Sequence, residues 1–202
     1  MNGTLFHLVR HGAHDQVGRV LVGRMAGVAL SQAGRAQAER VAGLLSGRAI
    51  VAVLSSPQPR AEATARVIAV RHGLEVELEG GLDEVDFGEW EGRAFEELEG
   101  DAGWRAWTRM RGLALTPGGE GMGGVQGRVL GVLARARARW PAGEVVMAGH
   151  QDVLRAALLG VLGAPLDLFG RMALEPGGIA SVRLWADDAR LEMLDNGDWA
   201  NE

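Results

Sequence analysis

The sequence contains no cysteine, no lysine and no tyrosine. Without cysteine, a disulfide framework, a catalytic thiol and a thiolate zinc site are excluded. Without lysine, a Schiff base on this chain and the lysine of a phosphate-binding P-loop are excluded as well. All 21 basic side chains are therefore arginines, and the remaining catalytic chemistry is that of His, Asp, Glu, Ser and Arg. Arginine suits planar, bidentate recognition of phosphate, although genomic composition alone would explain the bias.

Clustered positive charge and long apolar runs are also missing. The net charge of −5 over 202 residues argues against a nucleic-acid partner, which would require a basic surface. No apolar stretch reaches membrane-spanning length, and the first twelve residues show neither a basic leader nor a small-residue cleavage site. We therefore expect a cytoplasmic protein without a membrane partner, and a single domain over residues 1–202.

Short apolar segments alternate with longer amphipathic ones along the chain. They predict buried strands at 4–9, 50–54, 75–78 and 144–148, with a terminal hairpin at 179–185 and 190–194. Helices are predicted at 31–47, 60–70, 125–140 and 152–162. The segment of about 80–124 is rich in Gly, Trp and acidic residues and is interpreted as a lid-like insertion with short helices. This order predicts an α/β fold: a three-layer αβα sandwich with a mostly parallel central sheet and an antiparallel edge.

The tripeptide Arg-His-Gly occurs twice, at 10–12 and at 71–73. The second copy closes a predicted helix, where cations complement the C-terminal dipole and Gly73 supplies a left-handed cap, so it is interpreted as structural. The first copy leaves a buried strand. Ligands of parallel sheets bind at the carboxyl ends of strands, so we expect Arg10 and His11 to face a binding crevice together with Ser55 and His150.

Five motifs in this order resemble the histidine phosphatase superfamily, also called the phosphoglycerate mutase-like family. They span most of the chain: LVRHG at 8–12, SSPQPRAEATA at 55–65, LDEVDFGEWEG at 82–92, PGGE at 117–120 and GH at 149–150. The resemblance implies a phosphatase that acts on a small phosphomonoester through a phosphohistidine intermediate, without a cofactor or a metal. The five histidines show no metal-ligand spacing, and His7 in the first strand is expected to be packed in the core.

The resemblance assigns the phosphate pocket to four residues. His11 is the implied nucleophile, and Arg10, Arg60 and His150 match the positions that hold the phosphoryl group. A neutral imidazole is able to form such a covalent intermediate, and guanidinium groups neutralise the charge on the equatorial oxygens. Arg60 also follows Pro59 at a predicted helix start, where free backbone amides favour an anion.

A departing alkoxide needs a proton, and the attacking water must lose one. Glu84 matches the family donor. Asp152 is a competitor, because the donor in the acid-phosphatase branch is an Asp just after the second histidine, although Gln151 intervenes here. Nearby acids are interpreted as groups that order the loop or face solvent: Asp86, Glu89 and Glu91.

Two further side chains are assigned supporting roles. Glu120 in the PGGE motif is expected to accept from the second ring nitrogen of His11 and to fix its tautomer. His14 stands where many relatives have Thr, and it either replaces that donor or is a structural histidine. Val17, Gly121 and Gly149 also depart from the usual polar residues and affect substrate identity.

Two alternatives to a phosphatase stay open. A cofactor-dependent phosphoglycerate mutase would use the same pocket, but such enzymes usually carry a longer insertion than the two dozen residues between Gly92 and Pro117. A phosphate- or phosphoprotein-binding module without catalysis is the other alternative. Substrate and oligomeric state are not predicted; the candidate substrate-contacting residues are Arg19, Arg24, Trp90, Phe95, Trp104, Trp107 and Met110.

Overall fold

The protein, described over residues 3–196 by a computed structural model, is built on one six-stranded sheet. In chain order the strands are β1 (Thr4–Arg10), β2 (Ile50–Ser55), β3 (Val76–Leu78), β4 (Glu144–Gly149), β5 (Ile179–Leu184) and β6 (Ala189–Asp195). Their spatial order is β3-β2-β4-β1-β5-β6. The first four of these are parallel, whereas β5 runs antiparallel to β1 and β6 antiparallel to β5. The predicted mostly parallel sheet with an antiparallel edge is confirmed.

Helices cover both faces of this sheet. The longer ones are α1 (Gln32–Leu45), α2 (Pro59–His72), α5 (Met122–Arg139) and α6 (Gln151–Val161), and the insertion carries α3 (Phe95–Glu99) and α4 (Ala102–Arg109). One hydrophobic core contains α1 and α2, and a second contains α5, α6 and the insertion. Alternate residues of β1 divide between the two cores: Phe6 and Leu8 point to the α5–α6 side and Val9 to the α1–α2 side. The predicted αβα layering is therefore confirmed.

Most predicted boundaries agree with the structure within two residues. The exception at a helix start is α5, which begins three residues before the predicted position, since buried Met122 anchors its first turn despite two following glycines. The second Arg-His-Gly ends α2 as predicted, because Gly73 adopts φ 65° and its N–H bonds the carbonyls of Ala69 and Val70. His7 is fully buried between Ser181 and Glu144, as expected of a packed histidine.

The insertion joins the loop that follows β1. Backbone hydrogen bonds link Leu21 to Arg93, Gly92 back to Leu21, and Phe95 to Arg19. These hydrogen bonds therefore hold the two segments together beyond the carboxyl end of β1. Within residues 3–196, no helix combines the length and the apolar character needed to cross a membrane. Whether all 202 residues form a single domain stays a prediction.

A glycine pair sets the distance between α1 and the loop that carries His11. A Cβ built on Gly12 would lie 2.2 Å from the Gly34 carbonyl oxygen, and one built on Gly34 would lie 2.0 Å from the Ala13 carbonyl oxygen. Both contacts involve backbone, so neither neighbour is able to yield without moving the loop. The close approach therefore requires glycine on both sides.

We expect Gly34→Ala to lower the free energy of unfolding by roughly 1–3 kcal/mol, the usual cost of overpacking. Gly43→Ala is the matched control on the same helix, because a Cβ there meets no atom within 4 Å. That control is expected to be neutral or to stabilise by up to about 1 kcal/mol. Urea denaturation of both variants measures the difference, and equal effects would contradict the steric argument.

Candidate active site

Three neighbouring strands place the residues of the candidate site at one edge of the sheet. β2, β4 and β1 lie side by side, and Ser56, His150 and His11 follow their carboxyl ends. Backbone hydrogen bonds continue past the strands, from His11 N to Gly149 O at 3.0 Å and from Ser56 N to Ala148 O at 2.9 Å. The structure therefore brings together residues that are 94 positions apart in the sequence.

The His11 ring is held in one tautomer by its own loop. Its Nδ1 donates to the Gly12 carbonyl at 2.8 Å, which leaves the lone pair on Nε2. Burial, followed by the charges of Arg60 and Arg10, holds the pKa of His11 well below its usual range. His11 is therefore neutral near pH 7, and its Nε2 is available as a nucleophile.

The expectation that Glu120 orients His11 is wrong. Glu120 Oε2 instead accepts from Arg24 Nη2 at 2.7 Å and from Arg128 Nη2 at 3.1 Å, while its Oε1 accepts from Arg128 Nε at 3.0 Å. The same two arginines donate to the main-chain carbonyl of Glu84, from Arg24 Nε at 2.8 Å and Arg128 Nη2 at 3.1 Å. The Gly12 carbonyl oxygen already accepts from His11 Nδ1. Glu120 instead binds the two arginines that donate to the Glu84 carbonyl.

Arg60 lies in the first turn of α2 and is fully buried. Its Nε donates to His11 Nε2 at 3.3 Å, and its Nη2 donates to the Gly23 carbonyl at 2.7 Å. Within residues 3–196, its Nη1 is buried without a hydrogen-bond acceptor. A buried cationic donor without an acceptor beside a neutral imidazole is suited to an anionic ligand.

Arg10 flanks His11 from the strand itself. Its Nη1 donates to the Leu174 carbonyl at 2.8 Å and lies 3.7 Å from Glu175 Oε2. Burial lowers the pKa of Arg10 to about 10, so the guanidinium stays charged at neutral pH. Both predicted arginines therefore supply positive charge to the same buried point.

His150 packs against the His11 ring, with 5.1 Å between the ring centroids. Its Nε2 lies 2.8 Å from Ser56 Oγ, and its Nδ1 lies 3.2 Å from Arg60 Nη2. Burial and the charge of Arg60 hold the pKa of His150 well below its usual range. Because the guanidinium of Arg60 can only donate, His150 Nδ1 accepts, and the hydrogen is on Nε2, which donates to Ser56 Oγ.

Glu84 reaches the same point from the start of the insertion. Its Oε2 lies 3.6 Å from His150 Nδ1, and its Oε1 accepts from the Val85 N–H at 2.8 Å. Burial, with the charge of Asp152 second, raises the pKa of Glu84 to about 7. Asp152, the competing donor, is ion-paired with Arg111 at 2.7 Å. A carboxyl group with a pKa near neutrality is able to give and take a proton under ordinary conditions.

His14 also lies at the crevice, with its ring centroid 5.6 Å from that of His11. Its Nδ1 accepts from the Gln16 N–H at 3.3 Å, so the hydrogen is on Nε2. Burial and the charges of Arg60 and Arg10 lower the pKa of His14 to about 4. The residue is thus a neutral donor beside His11.

Sequence reasoning missed two supporting hydroxyl groups. Thr64 Oγ1 accepts from the Gly12 N–H at 3.1 Å and donates to the Arg60 carbonyl at 2.9 Å, and so ties the His11 loop to α2. Ser56 holds His150, as described above. The helical spacing of four residues between Arg60 and Thr64 was the available signal, since it places both on one face of α2.

The aromatic candidates divide into two groups. Phe95 and Trp104 line the cavity next to Arg10, whereas Trp90 and Trp107 are buried in the core. Other candidates lie elsewhere: Met110 is 49 % exposed, Arg19 is exposed, and Arg24 is engaged with Glu84 and Glu120. Only the first group is placed to contact a ligand bound at His11.

Comparison with known proteins agrees with this geometry. The family model of the histidine phosphatase superfamily (branch 1) matches residues 6–197. Phosphoserine phosphatase 1 of Hydrogenobacter thermophilus is 34% identical over 153 residues, which cover 73% of this chain and 72% of the relative. The adenosylcobalamin/alpha-ribazole phosphatase of Escherichia coli is 27% identical over 191 residues, which cover 94% of each chain. Among solved structures, the mycobacterial glucosyl-3-phosphoglycerate phosphatase in complex with VO3 superposes with a TM-score of 0.87 and 27% identity, covering 96% of this chain and 99% of that one.

Proposed function

Because the chain belongs to the histidine phosphatase superfamily and is a phosphatase of the histidine type, we propose that it hydrolyses a small phosphomonoester through a phosphohistidine on His11. The observation that carries the proposal is the state of His11. Its ring is neutral, its Nδ1 is used by Gly12, and its Nε2 lies 3.3 Å from the buried guanidinium of Arg60. A nucleophile and a phosphate-binding cation thus share one buried point.

In the first half-reaction, His11 Nε2 attacks phosphorus and the bond to the leaving oxygen breaks. Glu84, protonated at this stage, gives its proton to the departing oxygen so that the product leaves as a neutral alcohol. Arg10 and Arg60 neutralise the charge on the equatorial oxygens, and the unsatisfied Arg60 Nη1 donates to one of them. His150 Nδ1 accepts from Arg60 Nη2 and so orients that guanidinium beside His11, while His150 Nε2 donates to Ser56 Oγ.

In the second half-reaction, water attacks phosphorus and the bond to His11 Nε2 breaks. Glu84, now a carboxylate, takes a proton from that water, so inorganic phosphate forms and both His11 and Glu84 return to their starting states. His14, with its hydrogen on Nε2, is a further donor at the mouth of the pocket. Asp152 is not assigned this proton transfer because Arg111 already holds its carboxylate.

The observations favour a phosphatase over a mutase or a binding module without catalysis. The relatives with a stated activity are phosphatases, and the nucleophile, both arginines and the acid lie together here. No observation favours a second acceptor hydroxyl over water.

The proposed function is tested by phosphate release from p-nitrophenyl phosphate in the presence of EDTA, together with rapid quenching in alkaline detergent of enzyme incubated with radiolabelled phosphoester. We expect turnover that resists the chelator, and a label on the protein that is stable to base and labile to acid, as a phosphoramidate is. Chelator-sensitive turnover, or steady turnover without any labelled protein, would exclude the proposed mechanism.

The Glu120 cluster gives a separate prediction. We expect Glu120→Gln to lower kcat/KM for benzyl phosphate roughly tenfold, because Arg24 and Arg128 lose the carboxylate that aims them at the Glu84 carbonyl and a small displacement of a catalytic group is costly. The uncovered charge of the two arginines favours ionised Glu84, so its pKa falls and the alkaline limb of the pH profile moves to lower pH.

Glu77→Gln is the control, since that residue forms an exposed ion pair with Arg139 away from the site. This variant is expected to keep kcat/KM for benzyl phosphate and for p-nitrophenyl phosphate within about a factor of two of the wild-type values, because exposed ion pairs contribute little. Its pH profile should be unchanged. A Glu120→Gln variant with equal losses on benzyl and p-nitrophenyl phosphate, and an unshifted pH profile, would show that the cluster supports folding alone.

A further inference from the structure

The cavity that adjoins the His11 site at Arg10, His14 and Glu84 is larger than a phosphate ion requires. It has a volume of about 420 Å³ and is lined by Arg10, His14 and Glu84 at the reacting end. A phosphoryl group fills only a small part of such a volume, so the remainder is available to the alcohol portion of the ester. The side chains of this outer part therefore determine which alcohols fit.

One portion of the outer cavity is apolar. The loop after β1 and the insertion, joined by the backbone hydrogen bonds described above, contribute Val20, Leu21, Val22, Phe87, Phe95 and Trp104. Trp104 is braced edge-on by Trp90, with 5.4 Å between ring centroids, and by Phe95 at 6.0 Å. These rings offer a fixed apolar surface to a planar or branched apolar group.

The other portion is ionic, and two of its arginines are paired with carboxylates. Arg111 binds Asp152 at 2.7 Å and stacks on the Phe169 ring at 4.4 Å, while Arg155 stacks on the same ring at 5.0 Å. Glu175 accompanies Arg10 at 3.7 Å. Within residues 3–196, neither Arg155 in this portion nor Arg60 at the adjoining His11 site has a carboxylate at ion-pair distance, so neither has a direct ionic partner.

The charged side chains that line the cavity, counted together with Arg60 and with Glu84 neutral, carry two positive charges in excess. The guanidinium groups of Arg10, Arg111 and Arg155 line the cavity, and that of Arg60 adjoins it at His11. Besides Glu84, the lining carboxylates are those of Asp152 and Glu175. Glu84 is neutral in the state that donates its proton, as are the histidines. The two positive charges in excess are cancelled by a bound phosphoryl dianion. A further acidic group on the substrate would leave one negative charge uncompensated in a partly enclosed site, which is unfavourable.

We infer that the preferred substrates are phosphomonoesters of uncharged apolar alcohols, with the apolar group against Phe95 and Trp104, and that esters carrying a second acidic group are disfavoured. The inference rests on the proposed function and adds to it the class of the leaving alcohol. It separates this chain from relatives whose substrates carry a carboxylate next to the phosphoester.

The test compares p-methylbenzyl phosphate with p-carboxybenzyl phosphate, which differ only in a methyl group against a carboxylate, and with ethyl phosphate. We expect kcat/KM to be about tenfold higher for the methyl than for the carboxylate ester. It should also be about tenfold higher for p-methylbenzyl than for ethyl phosphate, since the ring buries apolar area against Trp104. A ratio of one or below in either comparison would overturn the inference.

Two variants test the charge argument through the ratio of kcat/KM for p-methylbenzyl phosphate to kcat/KM for p-carboxybenzyl phosphate. Any effect of a variant on Glu84 or on phosphate binding is common to both esters and cancels in this ratio. Asp152→Asn removes one negative charge and is expected to shift the ratio about fivefold toward the carboxylate ester. Arg155→Met removes one positive charge and is expected to shift it in the opposite direction. Glu96→Gln, an exposed charge change on α3 outside the cavity lining, is the control and should leave the ratio unchanged.

The outcomes separate the inference from the proposed function. Turnover of p-nitrophenyl phosphate without turnover of either benzyl ester would overturn the inference alone. Absence of turnover with every ester would overturn the proposed function. The charge argument would be overturned if the ratio of kcat/KM for the two benzyl esters is unchanged in both Asp152→Asn and Arg155→Met, while circular dichroism shows that both variants are folded.

Discussion

Replacing His11 with alanine is expected to lower kcat for p-nitrophenyl phosphate by roughly 10⁴-fold or more, the scale of loss when a covalent nucleophile is removed. The physical reason is that the arginines still bind the phosphoryl group, but no side chain is left to attack phosphorus. Substrate binding should survive, so KM is expected to change much less than kcat. Steady-state kinetics and the loss of the acid-labile label measure both effects.

The chain supplies its own control in the second Arg-His-Gly. His72→Ala removes the same side chain from the same tripeptide, but at the end of α2. Its kcat is expected to stay within about a factor of two of the wild-type value, with a stability loss of up to about 1 kcal/mol from the helix terminus. A His11→Ala variant that remains folded and keeps more than a tenth of the wild-type kcat would exclude His11 as the nucleophile.

The second large effect is expected for Glu84→Gln, and it should depend on the leaving group. An alkoxide leaves poorly without a proton, so kcat/KM for benzyl phosphate is expected to fall by roughly 10²–10⁴-fold, the usual contribution of general acid catalysis. The p-nitrophenolate ion leaves readily by itself, so its first half-reaction should lose far less. Glutamine keeps the shape of the side chain, which separates lost proton transfer from lost packing.

The pH dependence of this step follows from the raised pKa of Glu84. The acid must be protonated to donate, and its pKa is about 7, so kcat/KM for benzyl phosphate is expected to fall as the pH rises above about 7. The pKa of His11 lies well below its usual range, so protonation of the nucleophile should not limit activity between pH 6 and 7. In Glu84→Gln the alkaline limb should disappear.

Asp152→Asn is the comparison that assigns the proton donor. If Asp152 were the donor, its replacement rather than that of Glu84 would produce the leaving-group dependence and abolish the alkaline limb. The ion pair of Asp152 with Arg111 and the raised pKa of Glu84 lead us to expect the opposite. Rates on benzyl and p-nitrophenyl phosphate for both variants decide between them.

The fold was largely predictable because its signals are local. Each strand of the parallel part is a short apolar run, and each longer helix shows its own amphipathic spacing or cap, such as Ser31 before α1 and Gly73 after α2. The start of α5 was misjudged because Gly123 and Gly124 are poor helix formers. The burial of Met122, a tertiary contact, outweighs that local preference.

The sequence predicted which residues form the site better than it predicted which atoms those residues contact. Arg10, His11, Arg60 and His150 come together because they follow strands or begin a helix at one sheet edge, an arrangement implied by strand order. Glu120 was placed wrongly because its partner depends on where Arg24 and Arg128 lie, and these come from a loop and a helix with no local signal linking them.

By itself, the sequence determined the α/β layering, the family and the candidates for nucleophile and phosphate ligands, because each depends on short patterns and their order. Only the tertiary structure decided that His11 is oriented by its own loop, that Glu84 has a pKa near neutrality, and which aromatic rings face the cavity. Those properties depend on burial and on charges brought close from distant parts of the chain. Desolvation and Coulomb interactions follow distances in space, and sequence spacing does not specify those distances.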